Sequence, residues 1–178
     1  MSITQITDAE FAQVQRCIFQ AAGISMADAK KTLVMGRLSK RLMHYGLDSF
    51  GAYFQLLASG RNPDEVQMAV DLLTTNETYF FRENKHFDFL RAQALAARSR
   101  HQTYRVWSAA SSSGEEAYTM AMILADVMPG LPWEIVGTDI STRVLEGARR
   151  GLYSLERGRH IPREYLQRFC RKGIQEYD

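Results

Sequence analysis

The stretch RVWSAASSSGEEAYTMAMILAD, residues 105–126, decides the fold of the second half of the chain. It begins with Arg105-Val106-Trp107, a short and bounded apolar run that is typical of a strand buried in a sheet. Residues 108–113 are small, so the backbone there can approach a ligand closely. Ser113 and Glu116 then have the spacing of a capping box at a helix start. A strand, a small-residue loop and a helix N-terminus together form the nucleotide-binding corner of a doubly wound α/β sheet.

The residues around this corner indicate a nucleoside rather than a dinucleotide. Gly114 is the loop's one glycine, so no G-x-G-x-x-G fingerprint can be written and a pyrophosphate on the loop is not expected. A second buried-strand pattern, residues 134–138, ends in Asp139. An acidic side chain in that place can hydrogen-bond ribose hydroxyls. The alternative is that Asp139 only caps the helix predicted over residues 142–149.

Residues 1–73 show four short amphipathic patterns with tight connections, which predict a small all-α domain. Capping boxes at Thr7 and Ser25 mark the first two helix starts. Ser49 marks the third, and Asn62 followed by proline marks the fourth. The second helix is predicted to run from Ser25 to about Tyr45.

Residues 74–100 are predicted to form a helix that connects the two domains, because Thr74 and Glu77 again have capping-box spacing. The segment is rich in aromatic residues, which is typical of a large core. Thr78 and Arg82 would lie one turn apart on the same face of this helix. A cation among aromatic side chains is costly to bury without a partner, so Arg82 is either a surface residue or a functional one.

With these residues in view, the chain resembles the CheR-type chemotaxis receptor methyltransferases. These enzymes use S-adenosylmethionine to esterify glutamate side chains on bacterial chemoreceptors. The resemblance covers essentially the whole chain, and the TTNET-x-FFR core is its most specific motif. Three blocks carry it: TTNETYFFRENKHFDFL (residues 74–90), RVWSAASSSGEEAYTMA (residues 105–121) and IVGTDISTRVLEGARRGLY (residues 135–153).

The resemblance implies an α+β protein. A receptor-docking all-α domain over residues 1–73 would be followed by the connecting helix and by a class I, Rossmann-like methyltransferase domain over residues 101–178. The family's catalytic domain has about seven strands, whereas the pattern here stops after the second. We therefore expect the chain to be the front part of a longer protein and to be inactive alone.

The resemblance also implies the site residues. Asn76, Thr78 and Arg82 would line the pocket for S-adenosylmethionine and its product S-adenosylhomocysteine, with Arg82 near the methionine carboxylate and the reacting centre as the catalytic residue. Asp139 would bind the ribose. Glu116 would add a further cofactor contact, unless it only closes the capping box.

Methyl transfer to an ionised glutamate needs no general base, and the sequence shows no nucleophile–base pair. Two other functions compete with this interpretation. One is a non-catalytic module that binds S-adenosylmethionine or a partner protein. The other is a dinucleotide oxidoreductase, which the missing glycines disfavour.

A basic stripe on the second predicted helix is a candidate receptor-docking surface. Its members are Lys30, Arg37, Arg41 and His44, whose spacing places them on one side of the helix. The stripe contains no carboxylate, whereas a solvated face usually mixes signs. Chemoreceptor methylation helices are rich in glutamate, and the resemblance implies that basic residues of this domain recognise them. The alternative is an ordinary exposed face that carries charge.

Composition excludes several other classes. No apolar run could span a membrane and the first residues lack a signal-peptide pattern, so a cytoplasmic location is expected. The net charge of +2 does not indicate nucleic acid. Cys17 and Cys170 are expected to be small buried groups rather than a disulfide. No metal site is predicted, because the histidines are scattered. The four histidines are His44, His86, His101 and His160. A basic segment near the end of the chain is interpreted as solvated surface, and its members are Arg149, Arg150, Arg157 and Arg159.

Overall fold

Two units divide the chain. The computed structural model describes residues 5–100 and 102–173, so His101 and the tail from residue 174 lie outside the described residues. The first unit contains the described residues up to Thr75 together with Ile140–Thr142, and the second contains Asn76–Asp139 and the residues from Arg143 onward.

Four α-helices build the first unit: α1 (Asp8–Ala22), α2 (Lys31–His44), α3 (Phe50–Ala58) and α4 (Pro63–Leu73). The predicted N-caps Thr7, Ser49 and Asn62 are confirmed, since each side chain accepts a hydrogen bond from the backbone amide three residues further on. The predicted helix start at Ser25 is wrong. A 3₁₀ turn (Asp28–Lys30) precedes α2, because the Asp28 carboxylate accepts a hydrogen bond from Gln15 of α1 at 3.0 Å and does not cap its own helix.

The apolar faces of these helices meet in one core. Phe11, Val14 and Ile18 come from α1, and Val34, Leu38 and Leu42 from α2. All six are at most 6% exposed, as the helical spacing of the apolar residues predicts.

A charged group lies inside this core. Glu65 of α4 is 3% exposed and accepts hydrogen bonds from Arg41 Nε at 2.9 Å, from Arg41 Nη2, and from the hydroxyls of Tyr53 and Tyr45 at 2.5 and 3.1 Å. Burial alone would raise the pKa of Glu65, but these donors outweigh it and lower the pKa. Glu65 is therefore an anion that ties α2 and α3 to α4.

Two members of the predicted basic stripe are engaged within the unit. Arg41 is only 21% exposed and is paired with Glu65. Arg37 is half-buried, and its Nη1 donates to the carbonyls of Leu72 and Thr74 at 3.1 and 2.9 Å. The prediction that the whole stripe faces solvent is therefore wrong for Arg37 and Arg41, because unsatisfied carbonyls at the end of α4 and a buried carboxylate attract these guanidinium groups. The other two members, Lys30 and His44, are exposed.

The second unit alternates helices and strands. Its elements are α5 (Asn84–Ala97), a 3₁₀ turn (Arg98–Arg100), β1 (Tyr104–Ala109), α6 (Glu115–Val127), β2 (Trp133–Thr138), α7 (Thr142–Arg150, from its second residue on), α8 (Leu155–Gly158) and α9 (Arg163–Phe169). β1 and β2 pair in parallel, with Tyr104 opposite Trp133 and Ala109 opposite Thr138. The α+β class is confirmed, with an all-α unit followed by strand–helix–strand connectivity. In a parallel pair the carboxyl ends of both strands lie at one edge of the sheet, and this places the end of β1 beside Asp139.

Only one face of this sheet is covered among the described residues. Val106 and Ile135 pack with Ile123, Leu124 and Val127 of α6. On the other face Trp107 is 68% and Val136 49% exposed. The prediction of two fully buried strands is therefore wrong, because side chains alternate along a strand and one set has no packed layer over it here.

Helix α9 is held to α5 and α6 by Asp126. Its carboxylate accepts hydrogen bonds from Arg168 Nη1 at 2.6 Å, from Arg91 Nη1 at 3.0 Å and from the Tyr165 hydroxyl at 3.0 Å. The bond from Arg168 is the main cause of an Asp126 pKa of about 2.

The two cysteines are free: Cys17 is half-buried and Cys170 is exposed. The prediction that both cysteines are buried is wrong for Cys170, which follows the last residue of α9, and Cys17 is buried only in part. No helix of the described residues is long and apolar enough to cross a membrane.

Arg41→Ala should destabilise the protein strongly, by about 3–5 kcal/mol, because it leaves the buried Glu65 carboxylate without its cation. Lys30→Ala, the matched change at an exposed position of the same stripe, should leave the unfolding midpoint unchanged. Urea unfolding followed by circular dichroism would measure both variants. Equal midpoints for the two variants would contradict the structural role of Arg41.

Candidate functional site

The loop between β1 and α6, residues 110–114, folds back against β2. The Ser111 amide donates to the Thr138 carbonyl at 2.8 Å, and the Gly114 amide donates to the Ser111 carbonyl at 3.0 Å. Ala110 and Ser112 have φ angles of 59° and 50°. Non-glycine residues in this region are strained, and such strain concentrates at ligand-binding sites.

Asp139 lies beside this loop, as its place after β2 predicts. The Ser112 amide donates to Asp139 Oδ2 at 2.8 Å. This bond fixes the carboxylate at the edge of the sheet where both strands end. The geometry is compatible with the predicted ribose role, which remains a prediction.

Two glycines allow the loop to pack so closely. A Cβ on Gly137 of β2 would lie 3.0 Å from Ser111 Oγ. A Cβ on Gly114, which has a φ of +96°, would lie 2.8 Å from the Cβ of Ala148 and 2.9 Å from the Tyr153 hydroxyl. A larger residue at either position would displace the loop from β2 or from α7.

The predicted capping box at the start of α6 is wrong. Gly114 is the N-cap residue, and no side chain caps the helix there. Glu116 instead accepts a hydrogen bond from Ser108 Oγ at 2.7 Å, while the Ser113 hydroxyl donates to Glu115 Oε2 at 2.7 Å. The positive φ of Gly114 turns Ser113 out of N-cap geometry, so Glu116 extends to the end of β1.

The predicted helix start at residue 74 is also wrong. Thr74 ends α4, since its amide bonds the Val70 carbonyl and its hydroxyl donates to the Asp71 carbonyl. Residues 75–79 have no regular structure, and α5 begins only at Asn84. Thr78 and Arg82 therefore do not share a helix face.

This irregular segment is attached to the loop and to α6. Ser112 Oγ donates to the Asn76 carbonyl at 3.3 Å, and the Phe81 amide donates to Thr119 Oγ1 at 3.2 Å. Ser112 thus contacts both Asn76 and Asp139. Thr78 lies in the same segment and is half-buried.

Arg82 is exposed and is oriented by its own segment. Its Nη1 donates to the Glu77 carbonyl at 2.7 Å, and its guanidinium carbon lies 5.9 Å from the centre of the Tyr79 ring. Tyr79 in turn packs on His160, with ring centroids 4.8 Å apart. The cation is held at the surface, where a ligand can reach it.

Three residues around the loop were not among the predicted site residues. Glu115 is fully buried and pairs with Arg157, which was interpreted as solvated surface. Tyr153 donates to the Ser113 carbonyl at 2.6 Å. No pattern in the sequence pairs Arg157 with a carboxylate 42 positions earlier. Among the described residues, no group of three His, Cys, Asp or Glu side chains could hold a metal ion.

Comparison with known proteins gives two adjacent matches to protein-family models. Residues 9–74 match the CheR methyltransferase all-alpha domain, and residues 76–177 match the CheR methyltransferase SAM-binding domain. Proteins named chemotaxis protein methyltransferase from Salmonella typhimurium and Escherichia coli are each 45% identical over 97% of this chain. Chemotaxis protein methyltransferase 2 of Pseudomonas aeruginosa is 43% identical over 94% of the chain. The chain spans 60% of the length of each of these three relatives.

Gly114→Ala should lower the free energy of unfolding by about 2–4 kcal/mol, because strain at positive φ adds to a clash with Ala148 and Tyr153. Gly130→Ala is the matched control, since Gly130 has a φ of +73° and a Cβ added there would meet nothing within 4 Å. It should cost only about 1 kcal/mol. Denaturant unfolding measures both, and equal losses would show that the loop does not need a close approach at Gly114.

Proposed function

The chain belongs to the CheR methyltransferase family, and on this basis we propose that the protein methylates glutamate side chains of bacterial chemoreceptors in the cytoplasm, with S-adenosylmethionine as the methyl donor. One observation carries the proposal: Ser112 donates its amide to Asp139 and its hydroxyl to the Asn76 carbonyl. That residue therefore joins the carboxylate expected at the ribose to the segment expected at the amino-acid end of the cofactor. The SAM-binding domain match covers the same residues.

The residues present fit this cofactor. The loop is lined by small side chains and packs closely against β2 at Gly137, and its first residue, Ala110, is exposed. Asp139 Oδ2 accepts from the Ser112 amide, and a carboxylate has further lone pairs for ribose hydroxyls. Arg82 supplies a cation suited to the carboxylate of a bound amino acid.

The chemistry asks for alignment rather than for acid–base catalysis. The bound cofactor supplies an activated methyl group. A glutamate side chain is already ionised at neutral pH, so the protein needs no base to prepare it. The protein would act by orienting the reactants and by excluding water from the carboxylate of the substrate glutamate. Asn76, Thr78, Glu116 and Asp139 would orient the cofactor, and Arg82 would act at the reacting centre.

We infer that this chain alone binds S-adenosylhomocysteine weakly and has no turnover. The inference rests on its coverage of only 60% of the length of its relatives and on the uncovered sheet face at Trp107 and Val136. Calorimetry would measure the affinity for S-adenosylhomocysteine of the 178-residue chain and of a protein of the relatives' full length that contains it. Equal affinities would refute the inference.

Receptor docking is proposed for the predicted basic stripe, through its exposed residues Lys30, in the 3₁₀ turn before α2, and His44, at the end of α2. Arg37 and Arg41 are bound to Leu72 and Glu65 of α4 and would keep α2 in place. The glutamate-rich methylation helices of a receptor would contact these exposed basic side chains, which remain partly solvated in the complex. Contacts of that kind act mainly on the association rate and are screened by salt.

Arg82→Ala in the full-length protein should lower methyl transfer by about 100-fold, because it removes a charge from the reacting centre. Arg105→Ala is the control, since Arg105 is an exposed arginine of the same unit that pairs with Glu134. Turnover is measured by transfer of tritiated methyl groups to receptor cytoplasmic domains. Near-normal turnover of Arg82→Ala would mean that Arg82 is an ordinary surface residue. If the wild type binds the cofactor without turnover, a non-catalytic module is favoured instead.

The double variant Lys30→Glu, His44→Glu should slow receptor methylation and reduce its dependence on ionic strength, with cofactor affinity unchanged. Arg16→Glu, Arg61→Glu changes exposed arginines elsewhere in the first unit and should have no such effect. Methylation rates across a salt series, with a parallel cofactor titration, would test this. Identical salt slopes in both double variants would rule out docking through the stripe.

A further inference from the structure

Ser113 is held by three side chains that lie outside the predicted site. The Tyr153 hydroxyl donates to the Ser113 carbonyl at 2.6 Å, and Arg157 Nη1 donates to Ser113 Oγ at 2.9 Å. The Ser113 hydroxyl itself donates to Glu115 Oε2 at 2.7 Å. Ser113 directly follows Ser112, the residue that contacts Asp139 and Asn76. Because the two residues are adjacent in the chain, the position of Ser113 restricts where Ser112 can lie.

Glu115 fixes the position of Arg157. The Glu115 side chain is 0% exposed, and one of its oxygens accepts from Arg157 Nη1. It is the first residue of α6, where the helix dipole favours a negative charge. A fully buried carboxylate is costly without its cation, so Arg157 is held in place and keeps its bond to Ser113.

Tyr153 connects the loop with the segment that carries Asn76 and Arg82. Its ring packs edge-to-face on Phe80, with centroids 4.9 Å apart, while its hydroxyl reaches Ser113. Burial raises the pKa of Tyr153, and the hydroxyl therefore stays protonated and remains a donor at neutral pH. One side chain thus contacts both parts of the candidate cofactor site.

From this geometry we propose that Tyr153 and Arg157 are positioning residues for S-adenosylmethionine binding, which hold residues 110–114 in the strained conformation that places Ser112 against Asp139. The proposal rests on the proposed function. Neither residue needs to touch the cofactor. Their effect passes through Ser113, whose carbonyl and hydroxyl they bind, and it stabilises the positive φ angles of Ala110 and Ser112.

The test uses Tyr153→Phe, Arg157→Gln and Arg157→Lys in a protein of the relatives' full length that carries this chain. Tyr153→Phe keeps the ring that packs on Phe80 and removes only the donor to Ser113. Arg157→Gln also removes the cation from buried Glu115 and therefore lowers stability. If Arg157→Gln does not fold, Tyr153→Phe still tests the proposal. Arg168→Gln is the matched control, because Arg168 is a similarly exposed arginine of the same unit whose partner, Asp126, is not in contact with the loop.

Tyr153→Phe and Arg157→Gln are expected to raise the Kd for S-adenosylhomocysteine and the KM for S-adenosylmethionine by roughly fivefold or more, with the KM for the receptor unchanged. Arg157→Lys should restore much of the affinity, and Arg168→Gln should lower the melting temperature without changing the Kd. If the wild type binds S-adenosylhomocysteine and both loop variants bind within about twofold of it, the positioning role is overturned. If the wild type itself binds none, the proposed function fails and the positioning role fails with it.

Discussion

The site depends on the attachment of the β1–α6 loop to the end of β2. Two consecutive amides make this attachment, from Ser111 to the Thr138 carbonyl and from Ser112 to the Asp139 carboxylate. Because β1 and β2 are parallel neighbours, the loop and the carboxylate meet at one edge of the sheet. In the attached loop Ala110, Ser112 and Gly114 have positive φ angles. At Ala110 and Ser112, which are not glycines, this backbone geometry is strained.

That strain is balanced by polar contacts outside the loop. Glu115, buried at the start of α6, is neutralised by Arg157, and both groups bind Ser113. The first unit uses the same device, with Glu65 buried and neutralised by Arg41. In each unit a buried carboxylate pairs with an arginine from a distant part of the sequence. Such a pair adds little net stability, but removing one partner is costly because the other charge stays buried.

These pairs change the interpretation of basic residues in the sequence. The sequence alone predicts solvent-exposed arginines at positions 37, 41 and 157. In the structure each of them binds a carbonyl or a carboxylate inside its own unit. Lys30, in the 3₁₀ turn before α2, and His44, at the end of α2, remain exposed. The charges available to a partner are therefore fewer than the composition suggests, and docking through α2 would rely on those exposed residues.

The sequence by itself determined the features that depend on local chemistry. Three kinds of feature follow from near neighbours in the chain: the N-caps at Thr7, Ser49 and Asn62, the two strands, and the position of Asp139 after β2. Local spacing failed where a side chain had a competing partner: Thr74 closes α4, Glu116 binds Ser108, and Asp28 binds Gln15. Only the tertiary structure decided the pairs Arg41–Glu65 and Arg157–Glu115. Their partners lie 24 and 42 positions apart, and a buried charge selects its partner by proximity in the folded chain, which no periodicity of the sequence encodes.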